Sequence, residues 1–274
     1  MSATAGLIVI GNEVLSGKVV DEHTPFFVRE LRDLGVELKK VSMIPDDVDT
    51  IGREVAAFSA AFDVVFTTGG VGPTHDDVTM EGVARAFGVP VVRNSEIEVL
   101  LVSHSPGETT GAQLRMADIP EGATLLKPDS IVFPIIVVRN VYVLPGVPST
   151  ARRKFLAIRE RFRGQAFSLV VLYLSKGESA IAERLAKTAR EYPDVAIGSY
   201  PRYDDVEYKV KVTVESRNAD RTRAAATALE TLLEDSKPWN MVVPHSRPLH
   251  PDLARSLALS LGEPSPNADS SLGP

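Results

Sequence analysis

Short apolar runs alternate with helical stripes over the first part of the chain. Gly6–Ile10 and Asp63–Phe66 are apolar runs typical of buried parallel strands, whereas Thr24–Gly35 and Asp47–Phe62 place apolar residues at the spacing of a helix face. Strands and helices that alternate in units of roughly 30 residues indicate a mainly parallel sheet. We therefore predict a three-layer α/β domain over residues 1–165.

Further elements complete this predicted domain. Glu37–Ile44 has a strand pattern, Thr79–Phe87 has a helical pattern, and Val137–Leu144 (VVRNVYVL) is predicted to be one strong strand that leads into PGVPS. The intervening Pro90–Lys127 combines helical and irregular character. In sheets of this kind ligands bind beyond the carboxyl ends of the strands, so the loops at those ends are the first candidates for a site.

The pattern changes after about Arg163. Val206–Val214 (VEYKVKVTV) alternates apolar and polar residues, as expected for an antiparallel strand with one exposed face. Other strands and helices are predicted at Leu169–Leu174, Glu178–Arg190, Val195–Ser199 and Asp220–Glu234. We predict a small α+β second domain over residues 166–244 and, from its Pro, Ser and Gly content, a largely disordered tail over residues 245–274.

Composition and charge narrow the classes of function. The 274 residues carry a net charge of -6 with a pI of about 5.5, which argues against nucleic-acid binding, since that needs a basic face. The absence of cysteine excludes disulfides and cysteine-bound metals. The sequence shows no secretory signal and no apolar run near the ~20 residues that span a bilayer, so we expect a cytoplasmic protein without membrane contacts.

The glycine-rich stretch after the second apolar strand is the best candidate site. Gly69, Gly70 and Gly72 let a ligand approach the backbone closely, and such a turn before a helix suits a phosphate. Asp76 and Asp77 in the same loop would repel a bare phosphate. Because Mg²⁺ is typically held by one or two carboxylates plus phosphate oxygens, the pair suits a metal-chelated phosphate.

The aspartate pair has an alternative explanation. Asp76 or Asp77 would cap the helix that follows, with Thr79 and Glu81 in its first turn. Both roles are compatible if one aspartate caps and the other faces the ligand. HExxH, GxSxG, GxxxxGK[ST] and GxGxxG patterns are absent from the sequence, which disfavours zinc hydrolases, serine hydrolases, P-loop enzymes and dinucleotide oxidoreductases.

Two other loops follow predicted strands. Gly11–Thr24 (GNEVLSGKVVDEHT) brings Glu13 to a strand end. There Glu13 either binds a ribose hydroxyl or a metal, or is an ordinary solvated loop carboxylate. Leu144–Ser149 (LPGVPS) is a turn whose prolines restrict the backbone. Ser149 is most simply the N-cap of the helix that follows.

These stretches together resemble the molybdopterin-binding-like domain family. TTGGVGPTHDDVTMEGVARAFG (67–88) resembles TGGxGPTxDDxTxxAxAxAFG, GNEVLSGKVVDEHT resembles GxExLxGxxxDTN, and LPGVPS resembles LPGVPxE. QLRMADIPEGATLL (113–126) matches the connecting segment, so the resemblance covers nearly all of residues 5–163. The GPTxDD form is that of the CinA branch and of the N-terminal domain of FAD synthases, and residues 166–243 resemble the small domain that follows in both.

The resemblance implies a metal-dependent pyrophosphatase that acts on FAD or ADP-ribose and releases AMP, with Mg²⁺, Mn²⁺ or Co²⁺ as cofactor. It gives Asp76, Asp77 and Glu13 catalytic positions, with the two aspartates as metal ligands. The residues that it assigns to phosphate and substrate are Gly11, Asp21, Gly69, Gly70, Gly72, Thr74, Thr79, Gly146, Pro148 and Ser149. The expected partners are a small nucleotide or pterin and, since relatives commonly form dimers or trimers, further copies of the chain.

Departures from the family pattern keep two alternatives open. The Asp-Thr-Asn triplet is Asp21-Glu22-His23-Thr24 here, Thr150 stands where LPGVPxE has glutamate, and SIVFPII (130–136) replaces a GTAPG-like loop. Such changes are those expected of a non-catalytic regulatory module that retains a nucleotide or pterin pocket. A molybdopterin-handling transferase is disfavoured, because Asp76 stands where those enzymes usually carry arginine.

Overall fold

A computed structural model describes residues 3–105, 107–203 and 208–236, and the backbone alone of 239–242. The chain divides into two compact units between Ala166 and Phe167. The strands of the first unit are β1 (Thr4–Ile10), β2 (Glu37–Ile44), β3 (Val64–Thr68), β4 (Val91–Arg93), β5 (Asp118–Pro120), β6 (Thr124–Leu126), β7 (Ile135–Val138) and β8 (Val141–Leu144).

Helices connect these strands. They are α1 (Asn12–Leu15), α2 (His23–Asp33), α3 (Val48–Ala61), α4 (Thr79–Phe87), α5 (Ser95–His104), α6 (Gly111–Arg115) and α7 (Pro148–Ile158), followed by a 3-10 turn (Arg159–Phe162). Six strands form the main sheet in the order β2-β1-β3-β8-β7-β6, and the β4–β5 pair forms a separate ribbon. β1, β2, β3 and β8 are parallel, while β7 runs antiparallel to both of its neighbours, β8 and β6, which confirms the predicted mainly parallel α/β fold.

Helices cover both faces of this sheet, which explains the continuous apolar runs of its central strands. Successive residues of β1 point to opposite faces, so that Leu7 packs with Phe27 and Phe155 from α2 and α7, whereas Ile8 packs with Phe58 from α3. The rings of Phe27 and Phe155 lie 4.9 Å apart at 69°, an edge-to-face arrangement. The first unit therefore has three layers with a core on each side of the sheet.

The segment predicted as one strand from Val137 to Leu144 is instead a hairpin. β7 and β8 pair antiparallel through Val138 and Val141, and Arg139 and Asn140 form the two-residue turn between them. Arg139 has a φ of 54°, the left-handed conformation that such tight turns require. The prediction was wrong because the turn lacks the glycine that normally marks one.

Asn140 ties this turn to the end of α3. Its Nδ2 donates to Ser59 O at 3.0 Å and to Phe62 O at 2.8 Å, and its Oδ1 accepts from Ser59 Oγ at 2.6 Å. The last carbonyls of a helix have no partner within the helix. Asn140, which is distant in sequence, thus supplies hydrogen-bond donors to the carbonyls at the carboxyl end of α3.

We expect Asn140→Ala to lower the free energy of unfolding of the first unit by about 2 kcal/mol, since three part-buried hydrogen bonds are lost. Hydrogen exchange of peptides from the first unit in increasing urea measures this change. Ser59→Ala is the matched control, because it removes the Ser59 hydroxyl alone and is expected to cost about 1 kcal/mol or less. Equal losses for the two variants would contradict the bracing role of Asn140.

The second unit has its own antiparallel sheet and core. It contains β9 (Ser168–Leu174), α8 (Glu178–Glu191), β10 (Ala196–Pro201), β11 (Val210–Ser216), α9 (Ala219–Leu232) and β12 (Trp239–Val242), with the sheet order β10-β11-β9-β12. In β11 the alternate residues Val210, Val212 and Val214 are buried, as predicted. The predicted start of this strand at Val206 and the predicted tail lie outside the described residues.

Among the described residues, the helices are too short or too polar for any of them to span a lipid bilayer.

Candidate active site

The ends of β1, β3 and β8 lie side by side, and each strand leads into one of the predicted loops; we call this the carboxyl edge. Gly69 N donates to Leu144 O at 3.2 Å, and Gly11 N donates to Ile44 O at 3.1 Å. A Cβ on Gly146 would lie 3.2 Å from Gly69 Cα. The loops after β3 and β8 therefore approach each other so closely that a side chain at Gly146 would crowd the backbone of Gly69.

The glycine-rich loop depends on two left-handed glycines. Gly69 and Gly70 have φ values of 100° and 62°. A Cβ on Gly69 would lie 2.0 Å from Ile10 O, and one on Gly70 would lie 2.4 Å from Thr79 Oγ1. Thr79 is fully buried and donates its hydroxyl to Gly69 O at 2.9 Å and its N–H to Gly70 O at 3.0 Å. Thr79 therefore holds the backbone of the loop from the protein interior and is not exposed to solvent.

The two aspartates are placed differently. Asp77 Oδ2 accepts from Thr74 N at 2.8 Å and also from the Thr74 hydroxyl, while the side chain of Asp76 is 57% exposed. The pKa of Asp76 lies below its usual value, chiefly because of the nearby Thr74 hydroxyl. Val78 is the N-cap of α4 and no side chain caps it, so the capping alternative for the aspartates is wrong.

A neighbouring helix braces this loop. Arg115 of α6 donates from one guanidinium nitrogen to Pro73 O at 2.7 Å. Gly72 makes room for the aspartate that follows, because a Cβ on Gly72 would lie 2.8 Å from Asp77 Oδ2. The position of the Asp77 carboxylate is therefore determined by Thr74 and by the glycine beneath it.

Asp46 is a carboxylate of this edge that the sequence analysis missed. It follows β2, and its Oδ2 accepts from Asn12 N at 2.8 Å. Burial raises the pKa of Asp46, the Asn12 hydrogen bond lowers it, and the negative charges of Glu13, Asp76 and Asp77 raise it further. Four carboxylates thus gather at the carboxyl edge. The signal available in the sequence was the Pro-Asp-Asp that follows the predicted strand Glu37–Ile44.

A cavity of about 500 Å³ opens at the carboxyl edge. The predicted site residues that line it are Glu13, Gly69, Gly70, Gly72, Asp77 and Gly146. The predicted residues that stay outside its lining are Gly11, Asp21, Thr74, Asp76, Thr79, Pro148 and Ser149. Much of the remaining wall is apolar and comes from Met80, Ile97, Leu101, Met116, Phe133 and Ile136. The cavity therefore joins a polar mouth to an apolar interior.

Asp21 and His23 organise the loop after β1. Asp21 Oδ1 accepts from His23 N at 2.8 Å and from Thr24 N at 3.2 Å, which holds the first turn of α2. The His23 ring is buried, and its Nε2 lies 2.9 Å from Gly146 O. His23, which departs from the Asp-Thr-Asn pattern, thus connects α2 to the loop after β8.

The start of α7 also differs from the prediction. Val147 is the N-cap and Pro148 is the first helical residue, so Ser149 lies inside the first turn and the prediction that it caps the helix was wrong. Proline suits the first position because the N–H that it lacks would have no partner within the helix. Arg152 of the same helix pairs with Glu22 at 2.6 Å.

Lys154 is a basic residue of the cavity that the sequence did not predict. It is half-buried on α7, and its Nζ donates to Pro134 O at 2.7 Å. Burial, with a smaller contribution from Arg153, lowers the pKa of Lys154 to about 8. The pattern of α7 gave no signal for this position, since a lysine between an arginine and a phenylalanine ordinarily lies on a solvated face.

The carboxylates of Glu13, Asp46, Asp76 and Asp77 are suited to a divalent cation that enters the site bound to the phosphates of a small molecule. Their oxygens are the donors that Mg²⁺ prefers, and burial first, then the negative charge of the other three carboxylates, raises the pKa of Asp46. Within the described ranges, no three His, Asp or Glu side chains converge on a single point as a ready-made metal centre. Mg²⁺ usually takes one or two carboxylates and completes its shell with water and phosphate oxygens, so this donor set is compatible with a shared site.

The fold and this edge define an α/β domain whose glycine-rich loop, carboxylates and partly apolar cavity form a small-molecule site. Residues 6–163 match the family described as "Probable molybdopterin binding domain", and residues 166–240 match "FAD synthase, middle domain". The chain belongs to this molybdopterin-binding-domain family and carries the FAD synthase middle domain after it.

Named relatives and a solved structure agree with this membership. A protein of Archaeoglobus fulgidus is 36% identical over 84% of this chain and 98% of its own length. A probable FAD synthase of Caenorhabditis elegans is 33% identical over 88% of this chain, and a CinA-like protein of Mycolicibacterium vanbaalenii is 30% identical over 86%. This chain covers 53% and 60% of those two proteins. The crystal structure of CinA from Thermoplasma acidophilum, a protein of unknown function, is 28% identical and superposes with a TM-score of 0.54 over 59% of this chain and 98% of its own.

Proposed function

We propose that this protein hydrolyses the diphosphate linkage of a nucleotide such as FAD or ADP-ribose and releases AMP. The cavity carries the proposal, because its mouth combines glycine backbone with the Glu13 and Asp77 carboxylates while its interior is apolar. The similarity to proteins named FAD synthase and CinA-like supports a nucleotide as the ligand. The matched part is about half of those proteins, so their complete activities are not carried over.

The glycine-rich loop is suited to the diphosphate. Gly69, Gly70 and Gly72 line the mouth without side chains, so phosphate oxygens can approach the backbone N–H groups. α4 starts directly behind the loop and contributes the positive end of its dipole. The apolar walls, among them Met80 and Phe133, are suited to a flat heteroaromatic ring.

Asp77 is the cavity residue that would hold a divalent cation, with Asp76 and Asp46 beside it. When bound, Mg²⁺, Mn²⁺ or Co²⁺ would neutralise charge on the diphosphate and lower the pKa of a nearby water. Without a cation these carboxylates would repel the anionic ligand. The proposed requirement for a metal follows from this conflict of charges.

The proposed reaction is a balanced hydrolysis. The oxygen of a water molecule bonds to one phosphorus, and the bond from that phosphorus to the bridging oxygen breaks. Glu13 at the cavity mouth takes a proton from the attacking water, and the bridging oxygen leaves on the second phosphate. AMP and a second monophosphate are the products: FMN from FAD, or ribose 5-phosphate from ADP-ribose.

Metal-dependent release of AMP tests this proposal. The purified chain is incubated with FAD or ADP-ribose and Mg²⁺, Mn²⁺ or Co²⁺, and the products are separated by chromatography. We expect AMP with at least one metal and a fall of about a hundredfold or more when EDTA replaces it. Tight binding of either compound without AMP under any metal would contradict hydrolysis and favour the non-catalytic module.

A further inference from the structure

The cavity contains one feature that the proposed hydrolysis does not use. Lys154 is the only basic residue among the described residues that line the cavity. Its ammonium donates to a neutral carbonyl, Pro134 O, and no carboxylate of the described residues lies within ion-pair distance. A half-buried charge without a counter-ion is costly, so a ligand that brings an anionic oxygen to it would be favoured.

The fold carries this ammonium to the carboxyl edge. α7 starts at the edge directly after Gly146, and Val147, Thr150 and Lys154 line the cavity from one face of that helix. Helical side chains lean toward the amino end of their helix, so the lysine stem points back toward the edge. The hydrogen bond with Pro134, which precedes the antiparallel β7 at the same edge, agrees with this direction.

Strand spacing relates the ammonium to the glycine-rich loop. Gly69 follows β3 and Pro134 precedes β7, and β8 is the single strand between them. Strands lie about 4.8 Å apart, so the two positions are separated by about 10 Å. The Lys154 ammonium lies 2.7 Å from Pro134 O, so the distance between the ammonium and the loop is on the scale of a phosphate or diphosphate group with a hydrogen bond at each end.

We propose that Lys154 binds a phosphate oxygen of the ligand and so positions the diphosphate across the cavity, opposite the glycine-rich loop. This inference rests on the proposed diphosphate ligand and adds a cation of the chain itself to its recognition. The glycine-rich loop holds one end of the anion and Lys154 holds the other. Lys154 is thus a binding residue that favours diphosphate ligands over neutral ligands, because only an anion supplies a counter-charge to its ammonium.

The lowered pKa of Lys154 makes this binding depend on pH. The ammonium form binds the anion, and the bound anion stabilises the positive charge, so the pKa rises on binding. Below about pH 8 the free protein already carries the proton, whereas above that pH binding must take one up. The charged groups near the ammonium are Arg153 on its own helix and the Glu13 and Asp77 carboxylates across the cavity.

The test measures binding apart from turnover. The probe is ADP-ribose with a methylene group in place of the bridging oxygen, which cannot be hydrolysed, and its Kd is measured by calorimetry with Mg²⁺ from pH 7 to pH 9.5. For the unaltered protein we expect the Kd to rise by up to about tenfold per pH unit above pH 8, with proton uptake that buffers of different ionisation enthalpy reveal.

Lys154→Met removes the charge and keeps the length of the side chain. We expect it to raise the Kd at pH 7 by about tenfold to a hundredfold and to remove the rise above pH 8. Lys187→Met is the matched control, because it deletes an exposed lysine of α8 in the second unit. It is expected to leave the Kd within twofold.

The outcomes separate this inference from the proposed function. An unchanged Kd in Lys154→Met, or the absence of proton uptake above pH 8 in the unaltered protein, would overturn the role of Lys154. The second result is decisive even if the variant fails to fold. No measurable binding of the probe would overturn the inference together with the diphosphate class. Normal binding with the expected pH dependence, but without hydrolysis of either FAD or ADP-ribose, would leave Lys154 established and overturn the hydrolase.

Discussion

Asp77→Asn is expected to lower the metal-dependent release of AMP by about a hundredfold to a thousandfold. The amide retains an oxygen that can accept from Thr74 N, as Asp77 Oδ2 does at 2.8 Å, so the loop should keep its shape. The substitution removes one of the two carboxylates that line the cavity. The measurement is the initial rate of AMP release at saturating Mg²⁺, with circular dichroism to confirm folding.

Two further variants sharpen this prediction. Asp129→Asn makes the same change of charge at an exposed position outside the cavity and should keep the rate within twofold. Asp76→Asn should have a smaller effect than Asp77→Asn, because the Asp76 side chain is 57% exposed and does not line the cavity. A rate within threefold of the unaltered protein for Asp77→Asn would contradict its assignment to the metal.

Gly69→Ala is expected to lower the free energy of unfolding of the first unit by at least about 3 kcal/mol and to abolish AMP release. Its φ of 100° is unfavourable for any residue with a side chain, and the new Cβ would lie 2.0 Å from Ile10 O. The Ile10 carbonyl belongs to the backbone, and the position of a Cβ is fixed by the backbone that carries it, so neither group can turn aside. Relief requires separation of β1 from the loop after β3.

Gly88→Ala separates the effect of collision from that of conformation. Gly88 also has a left-handed φ, 66°, but a Cβ there would meet nothing within 4 Å. We therefore expect a cost of about 1 kcal/mol from the backbone conformation alone. Hydrogen exchange of β1 and β3 peptides in urea compares the two variants. A similar cost for both would show that the contact with Ile10 is unimportant.

The sequence was most informative where one physical signal was strong. Glu37–Ile44 and Thr79–Phe87 were predicted with the bounds that the structure has, since a strand pattern closed by a proline and a helical stripe closed by glycine are clear limits. The order of strands and helices likewise indicated the parallel sheet and placed the loops at its carboxyl edge. Glu13 and Asp77 reach the cavity for that reason.

Other features depended on contacts that no local pattern reveals. The Arg139–Asn140 turn has no glycine, and what stabilises it is the reach of Asn140 to α3, 78 residues earlier for the Phe62 carbonyl. Lys154 belongs to the cavity only because α7 packs beside the start of β7. Asp77 resembled a helix cap in the sequence, yet its carboxylate turns back to Thr74.

The reversed direction of β7 has a consequence for how this protein family can diversify. In a purely parallel sheet the carboxyl edge consists of strand ends alone, whereas here the segment 127–134 between β6 and β7 also reaches that edge and contributes Phe133 and Pro134 to the cavity. An exchange of this one segment would alter the shape offered to a ring while β1, β3 and their glycines stay as they are. The strands that form the scaffold and the segment that shapes the ring-binding part of the cavity thus lie on separate stretches of the chain.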